Sequence, residues 1–174
     1  MRIHIVGLDD SIRHLDPARI NAPLRRFFLR SVIYMQGRAR QYAPVDRGQL
    51  RNAIIYDVQA RAASVGVLRG AFSTPLGQKA FAMEYGSGDL SDAPPGQRVT
   101  HLPAAGELDV WARRHGFESG AQVANIIARR GGVAPRRYMR RAMQDGQPQI
   151  TRFLQILGDE IGQAMVGGYN HVSD

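Results

Sequence analysis

The feature that most constrains this chain is a run of apolar residues at helical spacing that ends on a proline. Leu24, Phe27, Phe28, Val32, Met35, Ala39 and Tyr42 recur at steps of three and four. Arg25, Arg26, Arg30, Arg38 and Arg40 fill the intervening positions. One apolar stripe with charge behind it is the pattern of an amphipathic helix. Asn21 is a suitable N-cap, and Pro23 is tolerated in a first turn. Ala43-Pro44 ends the run, because the residue before proline avoids the helical region. Such a helix has about six turns and is roughly 30 Å long. A chain of 174 residues folds as one domain with a radius of gyration of about 16 Å, so the helix spans nearly all of it.

The remaining signals are shorter. Residues 1–7 alternate apolar and polar, as a half-buried strand does, and residues 9–15 form a capped turn. Gln49 to Ala53 fits one helical turn. Residues 54–60 and 63–69 read as a hairpin: Ile54, Tyr56 and Val58 share a face, and Val65 and Val67 face the partner side. Residues 70–77 read as a loop, and residues 78–85 as a short helix ended by Gly86. Residues 86–102 form an extended loop rich in Gly, Ser, Asp and Pro, with Pro94-Pro95-Gly96 at its centre. Residues 105–132 read as a helical insertion, with helices over 107–115 and 120–130. Residues 135–143 read as a short basic helix broken at Asp145-Gly146. A last amphipathic helix runs over 147–166. The expected class is α+β: a small antiparallel sheet from residues 1–7, 54–60 and 63–69, packed by the long N-terminal helix and the C-terminal helix.

Composition excludes several classes. No apolar stretch is long enough for a transmembrane helix, and the N-terminus lacks the pattern of a signal peptide. The absence of cysteine removes disulfides, thiolate metal sites and a cysteine nucleophile, and it fits a reducing compartment. The net charge is +8, and Lys79 is the only lysine. Arginine suits phosphate contact and arginine–carboxylate interfaces; a GC-rich genome also favours it.

Catalytic chemistry is not assembled. His4, His14, His101, His115 and His171 are scattered, with no metal-ligand spacing. Gly86-Ser87-Gly88 lacks the spacing of a nucleophile elbow, and no phosphate loop or dinucleotide fingerprint occurs. Asp9-Asp10 and Asp159-Glu160 fit helix capping and a solvated face. No enzyme activity, cofactor or metal is expected.

Three segments carry a resemblance. Residues 42–54 run Tyr-Ala-Pro-Val-Asp-Arg-Gly-Gln-Leu-Arg-Asn-Ala-Ile, with Pro44, Asp46, Gly48, Leu50 and Ile54 at the distinctive positions. Residues 82–88 centre on Glu84-Tyr85-Gly86, and residues 135–142 run Pro-Arg-Arg-Tyr-Met-Arg-Arg-Ala. In order and spacing these segments resemble the tail-completion, or neck, proteins of long-tailed bacteriophages. Arg47 stands where that family has threonine, and Ala53 where it has serine. On physical grounds, Pro44, Asp46 and Gly48 build a helix-to-hairpin corner that Leu50 and Ile54 anchor. Glu84 falls near a helix C-terminus, which is unfavourable for a carboxylate, so a dedicated arginine partner is expected.

The resemblance implies a structural virion protein made in the bacterial cytoplasm. Copies would form a closed ring at the head–tail junction around the DNA channel. Partners would be further copies and neighbouring neck, tail-terminator or tail-tube proteins, with non-specific contact to channel DNA as a further option and no membrane. Ring closure needs two different patches on each subunit. The expected ones are the 86–102 loop, with Asp89, Leu90, Pro94, Pro95 and Arg98, and the basic helix, with Arg136, Arg137, Arg140 and Arg141. The alternative is a DNA-binding protein using a helix-turn-helix-like segment at 107–132. There Arg113, Arg114, Arg129 and Arg130 would meet phosphates, and Gln122 and Asn125 would meet base edges.

Overall fold

The structure is a computed structural model and describes residues 17–45, 48–59, 62–67, 75–100 and 102–166. The strand expected over 1–7, the turn over 9–15 and the tail from 167 lie outside these residues. The elements are α1 (Pro17–Tyr42), α2 (Gln49–Ala53), β1 (Ile54–Gln59), β2 (Ala62–Val67), α3 (Pro75–Tyr85), a 3-10 turn (Gly88–Leu90), α4 (Ala105–Arg114), α5 (Gly120–Arg129) and α6 (Tyr138–Val166). The described chain is therefore mostly helical. Among the described residues the sheet consists of β1 paired with β2; the third expected strand lies outside them. The two residues between these strands leave room only for an antiparallel pair.

Several boundaries differ from expectation, three of them for a clear local reason; α4 begins at Ala105 rather than Glu107, and α6 at Tyr138 rather than Pro135. Helix α1 begins at Pro17, not Asn21, and Pro23 lies inside it. Pro17 occupies the first helical position, where its fixed φ helps and its missing N–H costs nothing. Helix α3 begins likewise at Pro75, so Gly77 is helical rather than part of a loop. The two expected C-terminal helices are one helix, α6, which runs through Gly146 and Pro148. Gly146 is not a break but a point of close approach. A Cβ there would lie 2.7 Å from Met35 Sδ and 3.4 Å from a Tyr34 ring carbon.

The chain divides into two units. The first comprises, among the described residues, 17–35, 56–59, 62–65 and 145–166. In it, α6 lies antiparallel to α1. Arg26 and Arg30 meet Glu160 at 2.8 and 3.3 Å, Tyr34 packs edge-on against Phe153, and Gly146 faces Met35. Val32 and Leu157 are buried. Arg26 and Arg30, placed by periodicity behind the apolar stripe, thus serve as counterions to Glu160. Such exposed pairs contribute little to stability, because water and salt screen them. Leu29 and Ile33 remain 41% and 48% exposed.

The second unit comprises, among the described residues, 36–45, 48–55, 66–67, 75–100 and 102–144. Here α1 ends at Tyr42, just before Ala43-Pro44, and α2 spans Gln49–Ala53, the bounds the sequence predicts. The Ala43 amide bonds the Ala39 carbonyl at 2.9 Å as α1 ends. Gly48 caps α2 in the left-handed region, φ 71°, which glycine adopts without a Cβ penalty. Leu50 and Ile54 are buried, each contributing about 1.5–3 kcal/mol of apolar burial. The Ile54 carbonyl accepts hydrogen bonds from Gln36 Nε2 at 2.8 Å and from Arg40 Nη2 at 2.8 Å. Arg40 therefore ties α1 to the corner. Pro44 is half-buried; Asp46 lies outside the described residues. Helix α2 packs on α3.

Candidate functional site

Helix α3 ends at Glu84-Tyr85, and this end meets the start of α6. The contacts between the two segments join residues 55 and 56 apart in sequence. The Arg136 and Arg137 amides bond the Met83 and Glu84 carbonyls at 2.7 and 3.2 Å. The Glu84 side chain is buried, and its two oxygens accept from the Met139 and Arg140 amides at 2.7 and 3.1 Å. Glu84 thus takes backbone amides, not the arginine side chain expected for it. The unfavourable position at one helix's C-terminus is offset because the carboxylate reaches the N-terminus of another. There it satisfies orphan donors and faces the positive end of the dipole.

The first residue of α6, Tyr138, is also buried. Burial, and then the Glu84 charge, push its phenol well above the ordinary tyrosine value. Arg137 precedes it with φ 53°, a left-handed conformation that costs a non-glycine residue about 1–2 kcal/mol. Two contacts hold it there. Its carbonyl accepts from the Arg141 amide at 2.8 Å, and its guanidinium pairs with Asp92 at 2.9 Å.

Asp92 joins the loop to the helix. It also pairs with Arg140 at 3.2 Å, and its amide bonds the Tyr85 carbonyl at 2.8 Å. The Arg140 guanidinium lies 5.8 Å from the Tyr85 ring centre, in cation–π range. The Tyr85 ring packs tilted against Phe81, with centroids 4.6 Å apart.

Beneath this latch two glycine-rich strands of backbone cross. Ser87 donates its amide to the Val133 carbonyl at 2.9 Å, and the Asp89 amide donates to the Gly131 carbonyl at 2.6 Å. The Val133 amide returns a bond to Ser87 Oγ at 3.2 Å, and the Gly88 amide reaches the Val99 carbonyl at 2.9 Å. A Cβ on Gly88 would collide with the Gly131 carbonyl, and one on Gly132 with the Ser87 carbonyl.

The 86–102 loop and the basic helix were expected to be two separate patches. Asp92 of the loop pairs with Arg137 and Arg140 of the helix. Arg137 and Arg140 are engaged in that link, whereas Arg136 and Arg141 are exposed. Asp89, Leu90, Pro94, Pro95 and Arg98 are exposed. Asp92, Ser87 and Val133 were not singled out from sequence. The only trace of the crossing was the Gly131-Gly132 doublet, which reads equally well as a helix stop.

The helical insertion is present as α4 and α5, tightly packed. Asp109 Oδ1 accepts from the Gly120 amide at 2.7 Å, and a Cβ on Gly120 would meet the Ala105 carbonyl. Ser119 caps α5 through the Gln122 amide at 3.3 Å, and Gln122 Oε1 accepts from the Glu118 amide at 3.1 Å. This reciprocal cap resembles a capping box. It occupies one of the two side chains considered for reading bases, leaving Asn125.

Among the described residues, no group of three or more His, Asp or Glu side chains could hold a metal ion, and no helix is long and apolar enough to cross a membrane. Comparison of the chain with protein-family models, curated proteins and solved structures gave no match.

Proposed function

We propose that this protein is a non-enzymatic structural component of a tailed-phage particle, forming a ring at the head–tail junction and joining tail to head around the DNA channel. It would be made in the bacterial cytoplasm and end in the virion, beside neck, tail-terminator or tail-tube proteins. In this reading the β1–β2 hairpin is the visible part of a small α+β sheet covered by α1 and α6.

The observation that supports the reading is convergence. The three segments that carry the resemblance, 42–54, 82–88 and 135–142, meet in one unit: α2 packs on α3, and α3 ends on the start of α6 through Glu84. Nothing in their separate sequences requires this. The exposed loop tip above them supplies a surface for neighbours. The DNA-reader alternative is weakened by the engagement of Gln122 in capping α5.

Truncating residues 88–97 would remove Gly88, Asp89 and Asp92, which hold the unit together. The better test shortens the exposed turn at 94–97, where the Gln97 amide bonds the Pro94 carbonyl at 3.0 Å. Replacing these residues by Gly-Ser should leave a folded protein that fails to enter particles. Normal, infectious particles containing the shortened chain would refute the loop's role. Imaging of particles that carry a tagged chain anywhere but the junction would refute the location.

A further inference from the structure

We infer that the exposed arginines around the glycine crossing form a surface that binds the phosphate backbone of double-stranded DNA without reading its sequence. The ring reading does not require this, since a ring can encircle DNA without holding it, so either can fail alone.

Charge is segregated along this part of the chain. Residues 119–144 contain six arginines and neither aspartate nor glutamate. The crossing gathers arginines from this stretch and adds one from the loop. Arg130 precedes Gly131, whose carbonyl accepts from the Asp89 amide; Arg98 precedes Val99, whose carbonyl accepts from the adjacent Gly88 amide. Val133 is tied to Ser87, and the Arg136 amide follows onto the Met83 carbonyl. Arg129 and Arg141 lie on the flanking helices α5 and α6. These five arginines are exposed and make no ion pair among the described residues. Of the carboxylates that face them, Glu84 is buried on the Met139 and Arg140 amides, and Asp92 pairs with Arg137 and Arg140. Asp89 remains, exposed beside Gly131. Five arginines against one carboxylate leave an excess of four positive charges.

Helix stability explains part of this pattern. Arg129 and Arg130 suit the dipole at the end of α5. Arg98 belongs to the loop and gains nothing from it. Arg136 and Arg141 flank the start of α6, whose first turn holds no acidic residue, and the dipole there disfavours cations. Cations kept where the fold disfavours them point to an external anion.

The surroundings favour a duplex. Protein interfaces centre on apolar and aromatic anchors, but among residues 87–99, 129–136 and 141 Leu90 is the one large aliphatic or aromatic side chain exposed. Single strands are held by stacking on open aromatic rings. Here Tyr138 is buried, and Tyr85 packs against Phe81 and beneath Arg140. What remains is a group of planar guanidinium forks, which match phosphate oxygens. A duplex carries one phosphate per ~1.7 Å of its axis, so several can be neutralised together.

The test is fluorescence anisotropy of the full chain against two labelled DNA duplexes of unrelated sequence. Both should bind alike, and affinity should fall roughly hundredfold between about 0.05 M and 0.2 M salt if about four phosphates are neutralised. Arg136→Gln/Arg141→Gln should bind both at least about tenfold more weakly, with a salt slope shallower by about two and unchanged circular dichroism. Arg98→Gln, in the loop, should also weaken both, and it carries the test should the double unfold. Arg113→Gln/Arg114→Gln removes the same charge from α4, outside the crossing, and should bind as wild type does. Absence of binding at low salt, equal losses in the two doubles, or strong preference for one duplex would overturn the inference. So would tighter binding of poly-glutamate than of DNA, which would assign the arginines to an acidic protein partner. A tagged chain found away from the junction would refute the ring reading and leave this binding intact.

Discussion

Glu84 Oε2 lies 2.7 Å from the Met139 amide nitrogen, so a carboxylate at the end of one helix caps the start of another. Both partners are half-buried or better, so losing the acceptor leaves two amides without water to replace it. Glu84→Ala should destabilise the protein by about 2–4 kcal/mol, from the lost cap and the unsatisfied donors. Glu84→Gln retains one acceptor oxygen and should lose roughly half as much. Urea unfolding of the three proteins gives the comparison; an alanine variant within about 0.5 kcal/mol of wild type would contradict the capping role.

The glycine crossing predicts a graded response. Gly116 has φ 78° with nothing within 4 Å of a Cβ, whereas Gly88 has φ 62° and a Cβ there would strike the Gly131 carbonyl. Gly116→Ala should cost about 1–2 kcal/mol, the left-handed penalty alone. Gly88→Ala should cost at least twice that, since backbone must move. Thermal melts of both variants should show that order, and equal shifts would argue against close backbone contact.

Along α6 the glycines should separate in the opposite direction. A Cβ on Gly158 meets nothing within 4 Å, while one on Gly146 meets Met35 Sδ. Gly158→Ala should therefore stabilise by about 0.5–1 kcal/mol through helix propensity alone. Gly146→Ala should be near neutral, because the flexible Met35 can swing aside. Gly146→Val should cost about 1–3 kcal/mol through overpacking. Stability gained in Gly146→Val would show that α1 and α6 are not closely apposed at this point.

Tyr138 predicts an alkaline limb in stability. Its phenol is raised above the ordinary value of 10.0, chiefly by burial and then by Glu84. A raised group contributes stability that is full below the unfolded value and is lost as pH rises past it. The melting temperature should fall above about pH 10, more steeply in wild type than in Tyr138→Phe. Parallel slopes for the two proteins would show that the phenol ionises freely.

Glu160 predicts an acid limb. Its carboxyl is held below the ordinary 4.5, first by the Arg26 hydrogen bond. A depressed group stabilises above its unfolded value, and that contribution is lost as pH falls through the folded one. Glu160→Gln should remove this part of the acid dependence while changing neutral-pH stability only slightly, as exposed pairs do. The readout is stability followed from pH 6 down to about pH 3, where an unchanged slope would count against the pairing.

Local chemistry made part of this fold legible. The corner at 42–54 follows from Pro44, Gly48 and the spacing of Leu50 and Ile54, all of which act on their immediate neighbours. Helix boundaries failed where proline played its other role: Pro17 and Pro75 start helices that composition alone read as later. Gly146 failed because a glycine needed for close packing looks the same in sequence as one that ends a helix. The site was least legible. Its key contacts join Glu84 to Met139 and Asp92 to Arg137 across 45 residues or more, and no periodicity encodes a pairing at that range. Sequence led to an arginine side chain for Glu84, whereas its carboxylate accepts from the Met139 and Arg140 amides.

The crossing of residues 87–89 with 131–133 also brings together the two ends of everything between them. The chain departs at Asp89 and comes back at Gly131, whose carbonyl holds the Asp89 amide. What lies between is a closed excursion, and the entropy of closing it grows only slowly with length. The α4–α5 pair can therefore be lengthened, shortened or exchanged with little effect on the clamp, whereas the loop must keep Asp92 and the Val99 carbonyl, which belong to it. A fold arranged this way can change what it touches without relearning how to fold.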